Sequence, residues 1–243
     1  MTHRLWMATV VSGLVAGGSL LAGSTISQTD LFNDGLFNSQ LWKPNGSSNG
    51  RLLETGGHLA LDTGSGDPLG WTFAMWFWKP AYVLTNADVL EFSMLISMPT
   101  LTGLSSMQYC HLGGGLKERG TSSILYYVVT QHDTGRHFLI QTEEQGGVTI
   151  GVGYELPLTA TRFYIKLRYV NSTGKVSFWY RGVHQTTWTK LGTNINLRHR
   201  WGRDGSTSLA VRPFVYGSTD HLLVTPEDKI YLDNVTVTHW LND

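Results

Sequence analysis

Cysteine is almost missing from this chain: among 243 residues there is one, Cys110. A lone thiol closes no internal disulfide, and without a cysteine cluster there is no structural zinc staple. Cys110 is expected as a small buried hydrophobe. Charge is scarce as well. Lys plus Arg number 18 and Asp plus Glu 18, together 15% of the chain. No clustered basic excess exists to neutralise phosphates, which argues against a nucleic-acid partner. No acidic excess marks disorder. Helix-forming runs are rare, and no apolar pattern of helical period and length appears. The fold must therefore be held by a packed core, and a chain of this length can build one.

What is present is glycine, with 28 residues, and aromatic rings, with nine Trp, ten Tyr and nine Phe. That mixture suits many short strands joined by tight turns. Apolar runs at Arg51–Leu53, His58–Asp62, Trp71–Phe77, Val89–Ser97, Ser123–Gln131, His137–Gln141, Val148–Val152, Arg162–Val170, Lys175–Arg181, Thr187–Leu191, Ser208–Tyr216 and Lys229–Thr238 read as strands. Gly56-Gly57, Asn171-Ser172-Thr173-Gly174 and similar clusters punctuate them. The stretch from Pro99 to Gly120 reads as a long excursion, with Gly113-Gly114-Gly115 as its mobile turn. The pattern predicts an all-β protein, a sandwich or barrel.

The first residues read differently. Arg4 is followed by an uncharged apolar run from Leu5 to Leu21, then by Ala22-Gly23-Ser24. This is the order of a secretory signal peptide, and residues 1–24 are expected to be one, or an N-terminal membrane anchor. The expected location is secreted or cell-surface, with residues 25–243 as the domain. No other membrane contact is expected.

Three segments carry a resemblance. In Phe163-Tyr164-Ile165-Lys166-Leu167-Arg168-Tyr169 the odd positions are apolar and Lys166 and Arg168 lie on the other face. A polar turn, the strand through Phe178-Trp179-Tyr180, and Thr187-Trp188-Thr189-Lys190-Leu191-Gly192 follow. This meander resembles the centre of concanavalin A-like, laminin-G-like sandwiches. Tyr231-Leu232-Asp233-Asn234-Val235-Thr236-Val237 resembles the closing strand of that superfamily. Asp30 to Asp34, Leu41-Trp42 and Gly57 to Leu61 resemble its opening. The resemblance spans most of residues 30–240 and implies a two-sheet antiparallel jelly-roll sandwich with its two chain ends paired. Its motifs mark a fold and leave activity open.

The sequence carries no glucanase-type catalytic strand. Retaining glycosidases need two carboxyls about 5–5.5 Å apart. The glucanases of the superfamily place them on alternate positions of one strand. Glu91 has no acid two or four positions on, Glu143 and Glu144 are adjacent and so point to opposite faces, and Glu155 is alone. Alginate lyases of similar fold carry Gln-x-His, whereas here Gln131, His132 and Asp133 are contiguous. There is no Gly-x-Ser-x-Gly elbow and no phosphate loop. The expectation leans away from catalysis, though a polysaccharide hydrolase or lyase of another arrangement stays open.

Rings are the remaining chemical signal. Sugars stack their C–H faces on aromatic platforms while a few polar groups hold the hydroxyls. The segment Gly70–Tyr82 holds Trp71, Trp76, Trp78 and Tyr82. Trp76 and Trp78 share one face of that strand, Phe73, Met75 and Phe77 the other, and one face must enter the core. Trp201, in a polar loop, is expected as an exposed platform. Trp76, Trp78, Tyr82 and Trp201 are thus the candidate ligand-binding residues of a lectin-like protein with a glycan partner. A structural or adhesive surface role is the alternative. The resemblance further implies a structural calcium ion, held by Asp233 with oxygens near Gly57 and Asp30.

Overall fold

The computed structural model describes residues 24–48, 50–64, 71–85, 88–133, 135–143, 149–155, 160–201 and 208–241. The expected signal segment thus lies outside the described residues, except Ser24. Sixteen strands alternate with turns: β1 (Thr25–Asp30), β2 (Trp42–Ser48), β3 (Arg51–Thr55), β4 (His58–Asp62), β5 (Trp71–Trp78), β6 (Tyr82–Leu84), β7 (Val89–Ser97), β8 (Tyr109–Glu118), β9 (Ile124–His132), β10 (Gly135–Glu143), β11 (Thr149–Glu155), β12 (Arg162–Val170), β13 (Lys175–Gly182), β14 (Thr189–Asn196), β15 (Leu209–Asp220) and β16 (Tyr231–Trp240). One helical turn, α1 (Leu197–Arg200), is the only α-helix among the described residues. No described helix is long and apolar enough to cross a membrane.

The strands form two antiparallel sheets. The first runs β14-β13-β12-β7-β16-β4-β3, with β1 also on β16; the second runs β11-β10-β9-β8-β15-β5-β2, with β6 on β15. The ends of the chain meet as expected: Thr25 lies opposite Trp240 and Asp30 opposite Val235. On the same edge of β16, Tyr231 and Leu232 pair with β4. One strand thus joins β1, the β3–β4 hairpin and, through its other edge, β7.

Alternation explains the layers. Phe163, Ile165, Leu167 and Tyr169 of β12 are buried between the sheets, as are Val176, Phe178 and Tyr180 of β13. The opposite positions are partly exposed, and there Glu91 holds Lys166 at 3.3 Å and Arg168 at 3.2 Å. The turn between β12 and β13 is fastened at Asn171, whose side-chain oxygen accepts from Tyr169 Oη at 3.1 Å and from Arg198 at 2.7 Å. Gly174 there has φ +65°, a left-handed conformation that glycine adopts at no cost.

Two expectations about the middle of the chain are corrected. The excursion at 99–120 contains a ten-residue central strand, β8, and Gly113-Gly114-Gly115 is its interior rather than a mobile turn. Space is the reason. A Cβ on Gly114 would stand 2.9 Å from Met94 and Phe92 of the other sheet and collide with the Phe214 carbonyl. A Cβ on Gly115 would meet the Phe214 ring at 2.8 Å and the Leu125 carbonyl. These glycines make room for rings on both faces. Cys110, on the same strand, is fully buried as expected, and burial pushes its thiol up to about 12.

Candidate functional site

The second sheet is apolar on both faces. Its inner face carries Trp76, Trp78, Leu112, Leu125, Tyr127, Val129 and their neighbours in the main core. Its outer face carries a separate cluster of Met75, Phe77, Ile124, Val128, Phe214 and Tyr216, with Phe73, Tyr126 and Leu139 packed against it. Register puts these in rows across the strands. Met75 lies opposite Tyr216, then Gly113, Val128 and Leu139; Phe77 lies opposite Phe214, then Gly115, Tyr126 and Gln141. The rings lock edge to face, Tyr126 lying 5.4 Å from Phe214 and 5.1 Å from Tyr216, at 81° and 64°. Such geometry adds roughly 0.5–1.5 kcal/mol per pair beyond area burial. The two outward-facing glycines of β8 form the floor beneath them.

Towards one end the cluster opens. Trp71, the first residue of β5, is 47% exposed and stacks on Phe73 at 4.6 Å and 25°. Beside it is a pocket of about 170 Å³. Its apolar wall is Trp71, Tyr126, Val128, Leu139 and Tyr216; its polar groups are Tyr109, His111, Gln141 and Ser218. The Ser218 hydroxyl is buried and has no hydrogen-bond partner. Tyr109 and His111 are held together at 4.3 Å between ring centres, and His132 stands 6.2 Å from His111.

The pocket is electrically quiet. Burial, helped by His132, lowers the His111 pKa to about 3. Burial, helped by Asp220, raises the Tyr109 phenol to about 12. At neutral pH the first is an imidazole with one donor and one acceptor, the second a phenol. No carboxylate lines the pocket among the described residues. Its volume is below the roughly 300–1,000 Å³ of pockets that enclose a small ligand. It suits contact with one ring of a longer molecule, through a flat indole and uncharged hydrogen-bonding groups.

The candidate residues named from sequence lie elsewhere. Trp78 is completely buried, and its indole N–H donates to Tyr82 Oη at 3.2 Å. Tyr82 is buried and donates to Gln28 at 3.2 Å. Trp201 follows α1, is 6% exposed and packs in the main core, so the exposed platform expected there is not found. Trp76 is also inward, 4.9 Å edge-on to Phe37, but it borders a second pocket of about 450 Å³ with Phe37, Pro44, Leu52 and Glu54. The Glu54 carboxyl there is raised to about 7 by burial and by its hydrogen bond to, and repulsion from, Asp34. The two faces of β5 divide as alternation predicts, with the expected candidates Trp76 and Trp78 on the inward one. Trp71 is one of the rings of Gly70–Tyr82, whereas Tyr109 and His111 lie in the stretch from Pro99 to Gly120 expected as a long excursion.

The three positions proposed for calcium come near one another only in part. Asp30 and Asp233 sit on paired strands, and Asp30 helps raise the Asp233 carboxyl, after burial as the main cause. Both Asp30 oxygens already take donors, from the Phe32 amide at 3.0 Å and the Trp42 indole at 2.8 Å. Asp233 Oδ1 accepts the Asn234 amide at 2.7 Å. Gly57 is in the turn before His58, whose ring stacks on Tyr231 at 3.8 Å. No group of three or more His, Cys, Asp or Glu among the described residues could hold a metal.

No protein-family model matches the chain, and no curated protein sequence does. Solved structures do. A peanut lectin carrying a nine-residue peptide is 10% identical, with TM-score 0.59, over 90% of this chain and 99% of its own. A winged bean acidic lectin bound to methyl-α-D-galactose is 11% identical, with TM-score 0.53, over 89% of this chain and all of its own. A xylan β-1,4-xylosidase of Bacillus halodurans is 16% identical, with TM-score 0.50, over 87% of this chain but 38% of its own.

Proposed function

The fold shared with these legume lectins is the concanavalin A-like jelly roll, and on that premise we propose that the chain is a carbohydrate-binding protein of the cell exterior. Residues 1–24 direct export or anchor the chain, and residues 25–243 form the binding domain. The observation that carries the reading is the pocket beside Trp71: an exposed indole on a rigid sheet, ringed by Tyr109, His111, Gln141 and Ser218, all uncharged at neutral pH. An uncharged, amphipathic ring ligand matches that set, since a flat C–H face needs the indole and hydroxyls need neutral donors and acceptors. A shallow pocket beside an open sheet favours a chain of sugars over a single one.

A glycan array on the mature protein, run beside reducing-end and unsaturated-product assays, tests it. Binding is expected, and Trp71→Ala should weaken it about tenfold or more, some 1.4 kcal/mol, with the melting temperature unchanged. Absence of any bound glycan would leave the structural or adhesive role, which the apolar side chains exposed at Ile26, Leu31, Leu36 and Phe37 favour. Product formation would make the chain an enzyme. A calcium ion tying the chain ends is a further part of the reading, and the mutual repulsion of Asp30 and Asp233 supports it. With few carboxylate oxygens to offer, such a site would lean on backbone carbonyls and water.

A further inference from the structure

The outer face of the second sheet is uneven in charge. At the end away from Trp71, three basic residues surround Phe77 and Phe214. Lys43 of β2 lies opposite Phe77, which lies opposite Phe214. Arg212, two residues before Phe214 on β15, lies opposite Lys117 of β8. Lys117 leans across β15 until its Nζ is 5.9 Å from the centre of the Phe77 ring. Among the described residues none of the three is in an ion pair. The Arg212 Nε is buried with no hydrogen-bond partner.

This arrangement is unfavourable in the free protein. Like charges directly opposite on neighbouring strands repel, and a buried guanidinium N–H without an acceptor forgoes its hydrogen bond. The repulsion is relieved by one event, the arrival of an anion. We infer that the glycan bound on this face is acidic, and that Lys117, Arg212 and Lys43 hold its carboxylate or sulfate groups while Trp71 stacks on a ring further along the same chain. This rests on the carbohydrate reading and sharpens it. The basic trio and the neutral pocket lie along one pair of strands, from Arg212 to Ser218 on β15 and from Lys117 to His111 on β8. Six residues at roughly 3.3 Å each separate them by about 20 Å, so the ligand is polymeric. Ionised guanidinium and ammonium groups make the stronger, charge-assisted hydrogen bonds, and the Phe rings between them exclude water from those contacts.

Matched polymers test this on the full chain. Polygalacturonate is compared with its fully methyl-esterified form, and dextran sulfate with dextran, by calorimetry at low and high salt. One acidic polymer should bind at least about tenfold tighter than its uncharged twin, and salt should erode the difference. Polygalacturonate as the tighter binder identifies carboxylate, dextran sulfate identifies sulfate. Lys117→Gln with Arg212→Gln should abolish the preference and leave the uncharged twin's binding as it was. Lys43→Gln, at an exposed position, should remove part of it and checks the result should the double variant fold poorly. Equal binding of charged and uncharged twins overturns the inference while the carbohydrate reading stands. No binding of any polymer or array glycan overturns both. Acidic-polymer binding indifferent to Trp71→Ala also overturns it, as loose attraction to a charged surface.

Discussion

His111 shows how a single residue acquires its chemistry from its neighbours. Its position on β8 points it into the outer pocket, between Tyr109 and Phe73's cross-strand partner Ser218. Burial and the nearby His132 hold its folded pKa near 3, below the ordinary value of 6.5. Between those two values the unfolded chain binds the proton and the folded one does not, so stability must fall as pH drops from about 6.5 towards 3 and is complete above. His132 and His58 are lowered as well and act in the same direction. Glu54, raised to about 7, acts oppositely between pH 4.5 and 7, but it is only partly buried, so solvent screens part of its effect. His111→Gln should therefore flatten the loss of stability between pH 7 and pH 5 in chemical denaturation. An equally steep loss in the variant would mean that the imidazole is already solvated. Trp78 is the contrasting residue: the same ring type as Trp71, on the same strand, but pointing inward and committed to packing.

At the scale of elements, β16 does the most to join the sheet. It pairs with β7 along one edge and with β4 and β1 along the other. Its inward residues Leu232, Val235 and Val237 are all in the main core. Deleting residues 229–243 removes those side chains and strands β1, so the truncated chain should lose its cooperative thermal transition. A melt near the full chain's temperature would show that β7 and β4 close the sheet without it. This element was legible in advance, because alternation in Tyr231 to Val237 and the apolar closing pattern are local. β8 was not. Its three glycines carry no side chain to alternate, and glycine clusters usually mark turns. Only the side chains of Phe92 and Met94 on β7 and of Phe214 on β15, two strands distant in sequence, explain why glycine is required there. β1 and β2 were also hidden, being short and polar, and the pairing of β1 depends on a strand more than 200 residues away.

At the scale of the whole molecule, the two chain ends are tied through β1 and β16, and the proposed calcium would sit at that seam. Millimolar calcium should then raise the melting temperature over excess EDTA, because a ligand bound only by the folded state stabilises it by mass action. Asp233→Ala should remove the difference. A wild-type melt that ignores calcium would dismiss the ion and leave Asp233 as a partly buried carboxyl bonded to the Asn234 amide. The sequence by itself determined the class of fold, since period-two alternation, turn residues and the lack of cysteine and helical runs are local properties that admit an all-β sandwich or barrel; the two-sheet jelly roll was what the resemblance implied. The sequence also pointed to rings, rather than paired carboxylates, as the candidate binding groups. Which rings lie on the outer face was decided only by the tertiary structure. Both faces of Trp71–Trp78 are apolar, so alternation divides the strand into two sets without saying which set meets the other sheet. The packing of Trp76 and Trp78 against the first sheet, and of Phe77 against Phe214, settles that choice. The meeting of Lys43, Lys117 and Arg212 was decided the same way, because residues from three strands become neighbours only through the register that joins them.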